Sequence, residues 1–153
     1  MESMVICIED NNPKHKDDLQ HLYLEYSEIS ETKIDVNIVD RLFELPYFTG
    51  FILYIDDKPA GFAVCYDGFS THRCKHVLNI HDVMISRLFQ GSGHGKELLC
   101  GVMDFCRKHD YLKITLEVDD DNIAAQKLYH SCGFEDYQVV LKGLLHWQKY
   151  LHE

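Results

Sequence analysis

The sequence predicts a mixed α/β domain with a mostly antiparallel sheet and one parallel crossover near the sheet's centre. Three observations lead there. Short apolar runs in the first half are separated by turn residues, as antiparallel strands are. A glycine-rich segment, Gln90 to Lys96, stands between a strand-like run and an amphipathic helix. A further alternating run, Lys113 to Val118, follows that helix and completes a strand–helix–strand order.

Each element has its own signal. Met4 to Glu9 reads as a first strand, with Val5, Cys7 and Glu9 alternating with Ile6 and Ile8. After a polar Asp-Asn-Asn-Pro turn, Leu19, Leu22, Leu24, Tyr26 and Ile29 suggest one helix. Val36, Ile38, Val39, Leu42, Phe43 and Leu45 suggest a second. Phe51 to Ile55 and Ala60 to Tyr66 flank Asp56-Asp57-Lys58-Pro59, a hairpin signal. His76 to Ser86 is another strand and leads into the glycines. The helix beyond carries Leu98, Leu99, Val102, Met103 and Cys106 on one side, with Glu97, Asp104, Arg107 and Lys108 away from it. Asp119 to Asn122 caps a shorter helix through Ala124, Ala125, Leu128 and Tyr129, which Gly133 stops. Gln138 to Leu151 offers two last strands, for a sheet of about six or seven and about four helices.

Bulk properties narrow the function. The 153 residues suit one domain, 1–153, with an ordinary globular composition of 46% hydrophobic and 26% charged residues. Six cysteines form no CxxC pair and lie mostly in apolar segments, which favours reduced thiols over a disulfide framework. Ten histidines are scattered without ligand spacing, so no metal is expected. The net charge of −10 and the lack of a basic stretch argue against nucleic acid as a partner. An acidic field steers cationic substrates, although many cytosolic proteins are acidic for no such reason. Apolar runs are too short to cross a bilayer, and Met1-Glu2-Ser3-Met4 lacks the start of a signal peptide, so no membrane partner and a cytoplasmic location are expected.

The glycine segment can hold an anion. The P-loop pattern needs glycine at 90 and Ser or Thr at 97, where Gln90 and Glu97 stand. The dinucleotide pattern needs a glycine where Lys96 stands. What remains is Q-x-x-G-x-G (Gln90, Gly93, Gly95) ahead of a helix, with Gly91, Ser92, His94 and Lys96 between and beside those positions. Glycines let the backbone approach closely, and the helix N-terminus aims free N–H groups at the same point. The plain alternative is a glycine-rich turn capping a helix.

This segment resembles the acetyl-CoA motif of the GNAT acetyltransferases. Asn122-Ile-Ala-Ala-Gln-Lys-Leu-Tyr129-His-Ser-Cys-Gly133-Phe134 is similar to that superfamily's N-x-x-A-x-x-L-Y-x-x-x-G-F helix, in the right order after it. The likeness covers about residues 76 to 134. Leu78-Asn79-Ile80-His81-Asp82 after Gly68-Phe69-Ser70-Thr71, with Trp147-x-Lys149-x-Leu151, looks like a group of small bacterial acetyltransferases of unassigned substrate. A looser likeness joins His81-Asp82 to the acidic pair of diamine and thialysine acetyltransferases. Arg87 stands where a proline is frequent, and His94 where an aliphatic residue is common.

The resemblance implies a GNAT-like fold and acetyl-CoA as co-substrate, with no metal. Pantetheine would pair with the strand at Val83-Met84-Ile85, where a backbone N–H would stabilise the oxyanion. Gln90 to Lys96 would hold the pyrophosphate. Asn122 would join the cofactor-binding residues. The acceptor would be a small-molecule amine, attacking directly in a ternary complex, and a homodimer is the family-level expectation.

Tyr129 matches the tyrosine that gives a proton to the departing thiolate, although beside Leu128 it also suits ordinary packing. His81 and Asp82 are polar residues inside an apolar strand, where an unpaired polar group is costly. Alternation sends them to opposite faces unless a bulge intervenes. Asp82 would attract the amine and His81 or a water chain would take its proton; the alternative is a pair satisfied by neighbouring backbone. Asn79 suits holding a water. Two other readings stay open: a non-catalytic acetyl-CoA sensor, and an enzyme acting on protein N-termini or lysines. The aromatics Tyr23, Tyr26, Phe43, Tyr47 and Phe48 suit a small-molecule pocket and a core equally.

Overall fold

The computed structural model describes residues 2–30, 33–136, 143, 145 and 147–152. It divides into two compact units, Met1–Glu117 and Val118–Glu153. The first contains β1 (Ser3–Cys7), α1 (Pro13–Ser30), α2 (Ile38–Glu44), β2 (Phe48–Ile55), β3 (Lys58–Ser70), β4 (Lys75–Ile85), α3 (His94–Lys108) and β5 (Lys113–Leu116). A 3-10 turn, Arg87–Phe89, lies between β4 and α3. The second unit contains α4 (Ile123–Ser131).

The sheet runs β1-β2-β3-β4-β5, with antiparallel neighbours up to β4 and a parallel β4–β5 pair across the α3 crossover. That confirms the mixed sheet and its parallel crossover, but among the described residues the parallel pair lies at the end of the sheet rather than near its centre, because β5 follows β4 as the last strand in the order. The strand count does not follow the expectation: among the described residues there are five strands, not six or seven. Of the stretch Gln138 to Leu151 expected to form the other two, residues 138–142, 144 and 146 lie outside the described ones.

Local chemistry explains the hairpin. Asp56 (φ 48°) and Asp57 (φ 65°) both adopt left-handed backbone, the two-residue turn whose twist matches antiparallel strands. Aspartate tolerates that region better than most side chains. β2 is buried without interruption from Gly50 to Ile55 because both of its faces are covered. Ile52 and Tyr54 join Leu19, Leu22, Tyr23, Val39 and Leu42 in the core beneath α1 and α2. On the opposite face Phe51 meets Phe105 of α3, ring centroids 5.1 Å apart. α3 also lies close to β1. A Cβ built on Gly101 would come within 2.5–2.7 Å of the Val5 side chain, so only glycine fits.

One apolar stripe differs from expectation. Leu24 does not share the buried face of α1 but is 55% exposed, and Ile29 is also exposed. Leu19, Leu22, Tyr23 and Tyr26 follow the i, i+3, i+4, i+7 spacing that turns toward the sheet. Leu24, two residues from Leu22, falls on the far side. Val36 is likewise exposed, since α2 begins only at Ile38.

Candidate functional site

The site is built on the second half of β4. β5 pairs with Val77 to Ile80 and then ends at Leu116. From Asp82 to Ile85, β4 pairs with β3 alone among the described residues. Among the described residues nothing else pairs with that edge, so its backbone donors and acceptors suit an extended ligand. Val83, Met84 and Ile85 lie on this stretch, as the sequence placed them.

A bulge decides how the polar residues point. Val64 pairs with Asp82 and Cys65 with Ile80, so His81 is an extra residue in the ladder. Tyr66 packs against the core under α1, and the His81 ring lies 5.4 Å from it. Asp82 reaches that same face, where it accepts hydrogen bonds from Tyr23 Oη at 2.8 Å and Tyr26 Oη at 3.2 Å. Simple alternation would have separated His81 from Asp82; the bulge brings them together. Asn79 instead braces β5, donating from Nδ2 to Thr115 Oγ1 at 3.0 Å.

Burial pushes the Tyr23 phenol well above its ordinary range, and the Asp82 charge adds to the effect. Tyr66 shifts the same way for the same two main causes. Both phenols therefore stay protonated at neutral pH, and Tyr23 remains a donor to the carboxylate.

Beyond β4 the chain turns into the glycine loop. Ser86, buried at 4% exposure, donates from Oγ to Glu25 Oε1 at 2.8 Å, and the Arg87 N–H donates to Glu25 Oε2 at 2.9 Å. The Arg87 guanidinium faces Glu28 at 3.7 Å. Gln90 turns back, donating from Nε2 to the Ile85 carbonyl at 2.9 Å, so its amide braces the loop. Gly91 (φ 84°) and Gly93 (φ 80°) are left-handed, and a Cβ on either would meet nothing within 4 Å. They are required for backbone conformation rather than for space.

Gly93 is the N-cap of α3, and Glu97 N–H is bonded to the Gly93 carbonyl at 3.2 Å. The N–H groups ahead of it have no acceptor within the helix, and they share this loop with Ser92, His94, Gly95 and Lys96. Glu97 is an acid in that first turn. Hydrogen bonds from Ser3 and from His94, the latter at 2.9 Å, engage its two oxygens and hold its carboxyl below the usual range.

In the second unit, Asn122 caps α4, its Oδ1 accepting from Ala125 N at 3.1 Å. Gly133 (φ 91°) closes the other end. Phe134 N–H reaches the Tyr129 carbonyl and Gly133 N–H the His130 carbonyl, both at 3.0 Å, a Schellman motif. The Phe134 ring lies 5.9 Å from that of Tyr129. The Asn, Gly and Phe positions thus fix the short helix that carries Tyr129. Tyr129 is buried, and burial pushes its phenol upward.

Sequence reasoning missed Glu25 and the hydroxyl roles of Tyr23 and Tyr26. An isolated acid on a helix carries no pattern, and the tyrosines read equally well as core. Among the described residues, no group of three or more His, Cys, Asp or Glu side chains could hold a metal ion. No described helix is long and apolar enough to cross a membrane.

The chain is similar to known proteins in sequence and in fold. The acetyltransferase (GNAT) family profile matches residues 16–134. An uncharacterised N-acetyltransferase of Methanocaldococcus jannaschii is 30% identical over 100 residues, covering 65% of this chain and 44% of that protein. The N-alpha-acetyltransferase RimI of Mycobacterium tuberculosis is 33% identical over 84 residues, covering 54% of this chain and 51% of that one. The chain therefore spans about half or less of these relatives' length. An aminoglycoside N-acetyltransferase crystallised with CoA superposes with a TM-score of 0.71 at 15% identity, over 97% of this chain and 95% of that one. At that identity the likeness is one of fold.

Proposed function

The chain belongs to the acetyltransferase (GNAT) family, and on that premise we propose that it moves the acetyl group of acetyl-CoA onto a primary amine of a small cationic molecule. We treat residues 1–153 as one acetyltransferase domain. The supporting observation is the β4 edge, unpaired from Asp82 to Ile85 among the described residues, that leads through one 3-10 turn into a loop of left-handed glycines at the N-terminus of α3. The first feature suits an extended pantetheine arm and the second a diphosphate. A structural neighbour that holds CoA has the same fold.

Acetyl-CoA supplies an activated thioester carbonyl. Val83, Met84 and Ile85 offer backbone bonds to the arm, and an N–H of this stretch serves the oxyanion. Gln90, Gly91, Ser92, Gly93, His94, Gly95 and Lys96 form the diphosphate cradle, with Asn122 assigned to cofactor binding on the family motif. An aliphatic amine with pKa about 10 arrives charged and must lose a proton before it attacks. Asp82 attracts that cation, and His81, on the same face, or a water takes the proton. Tyr129 holds a proton on Oη at neutral pH and gives it to the departing sulfur. The six cysteines are free thiols, which suits a reducing cytoplasm, and a homodimer is the family-level expectation.

A second reading, acetylation of a protein or peptide amine, is favoured by the Mycobacterium tuberculosis relative, which is named an N-alpha-acetyltransferase. One assay separates the two. Purified protein is incubated with acetyl-CoA and polyamines, thialysine, amino acids, aminoglycosides or short peptides, and free thiol is followed. Thiol release with a small amine, falling about 10²-fold or more in Tyr129→Phe, is the expected result. Release with peptides alone selects the second reading. Acetyl-CoA binding without turnover on any amine would leave a sensor, and no binding would refute both.

A further inference from the structure

Glu25 stands on α1, a helix whose buried side chains pack on the sheet, yet its carboxylate reaches the end of β4. It takes both donors offered there, Ser86 Oγ at 2.8 Å and Arg87 N–H at 2.9 Å. Glu28, three residues on, faces the Arg87 guanidinium at 3.7 Å. Ser86 and Arg87 are the residues at which the chain leaves the strand for the glycine loop.

That loop needs such an anchor. Gly91 and Gly93 have open space around the position of a Cβ, so no side-chain packing of their own fixes them, and glycine has the widest backbone freedom of any residue. Two side-chain grips hold the entrance instead, beside the backbone bonds from Ser86 N–H to the Ala60 carbonyl at 2.8 Å and from Phe89 N–H to the Ser86 carbonyl at 2.9 Å. One is the neutral bond from Gln90 Nε2 to the Ile85 carbonyl. The other is the two-armed grip of an ionised carboxylate, which is the stronger and more directional. α1 also carries Tyr23 and Tyr26, which hold Asp82. One helix therefore sets both the loop entrance and the acidic residue on the amine side.

We infer that Glu25 is a positioning residue for diphosphate binding: through Ser86 and Arg87 it sets the angle at which the 3-10 turn leaves β4, and so where the loop N–H groups point. This rests on the reading of the loop as the diphosphate cradle of CoA. It predicts that losing the carboxylate harms the diphosphate end of the ligand and spares the pantetheine end, which in that reading would lie on β4.

The test compares wild type, Glu25→Ala and Glu25→Gln for Kd of CoA and of pantetheine by calorimetry and ligand-observed NMR. Circular dichroism monitors folding, and hydrogen exchange follows the Arg87–Gly93 amides. Glu25→Ala should weaken CoA about tenfold while pantetheine stays within about twofold. Glu25→Gln keeps the shape and one acceptor, so it should fall between, at about threefold, and it serves alone if the alanine variant does not fold. Equal weakening of both ligands would reduce Glu25 to a general structural role and overturn the inference, as would an unchanged CoA affinity. If wild type binds no CoA, the loop assignment fails instead. Exchange then decides the grip separately: faster exchange at Arg87 in the variants supports it, and unchanged exchange refutes it.

Discussion

Asp82 and Tyr23 lie 59 residues apart in sequence and meet in one hydrogen bond of 2.8 Å. Tyr23 is 3% exposed, so its hydroxyl has little access to water if the carboxylate is removed. Asp82→Ala strands that buried donor at a cost of about 1–3 kcal/mol. Tyr23→Phe removes the donor and leaves the ring stacked 4.6 Å from Phe62, so it loses only the bond to an ionised acceptor, about 1.5–3 kcal/mol. Once Asp82 is gone, removing the Tyr23 hydroxyl should cost nothing more, whereas Asp82 in the Tyr23→Phe background still holds Tyr26. The double variant should therefore be no less stable than Asp82→Ala alone, which leaves a coupling of about 1.5 kcal/mol or more. For a chain of this length that corresponds to roughly 3–6 °C in Tm. Urea unfolding of the four proteins at pH 7, followed by circular dichroism, measures it directly. Effects that add to within about 0.3–0.5 kcal/mol would show that the two groups do not interact, and the α1 attachment of Asp82 would fall. Tyr26→Phe, whose bond is longer at 3.2 Å, should couple to Asp82 more weakly.

Two further outcomes follow from packing and ionisation. Gly101→Ala should destabilise the protein by about 1–3 kcal/mol in thermal unfolding, because its methyl would strike the Val5 side chain; Val5→Ala in the same chain should recover little of that, since the Val5 Cβ at 2.5 Å stays, whereas Val5→Gly removes the clash. Stability should also fall at alkaline pH. Burial pushes Cys7 and Cys106 from 9.0 to about 11 and raises Tyr23, Tyr54 and Tyr111, so the folded state keeps protons that the unfolded chain releases. The contribution is complete below about pH 9 and is lost as pH rises through 11, so the urea midpoint should drop across that window. A flat midpoint would contradict the burial of these groups.

Much of the candidate site is legible in the sequence because its parts are local. Left-handed glycines at 91, 93 and 133, the Asn122 cap, and the Asp56-Asp57 turn each depend on backbone preference within a few residues. Those preferences hold wherever the segment is placed, so the glycine loop and the helix carrying Tyr129 could be found by spacing alone. The crossover also follows from element order, since parallel neighbours require a connection across the sheet.

Tertiary structure decided the rest. The bulge at His81 depends on how β3 and β4 register, and it reverses the face that alternation assigns. Leu24 and Leu22 are equally apolar, and only the packing of α1 on the sheet buries one and exposes the other. Glu25 reaches Ser86 and Arg87 across sequence separations of 61 and 62 positions. A one-residue change in register would leave every local preference intact and undo each of these contacts, because they depend on the relative placement of distant segments rather than on the conformation of any one of them.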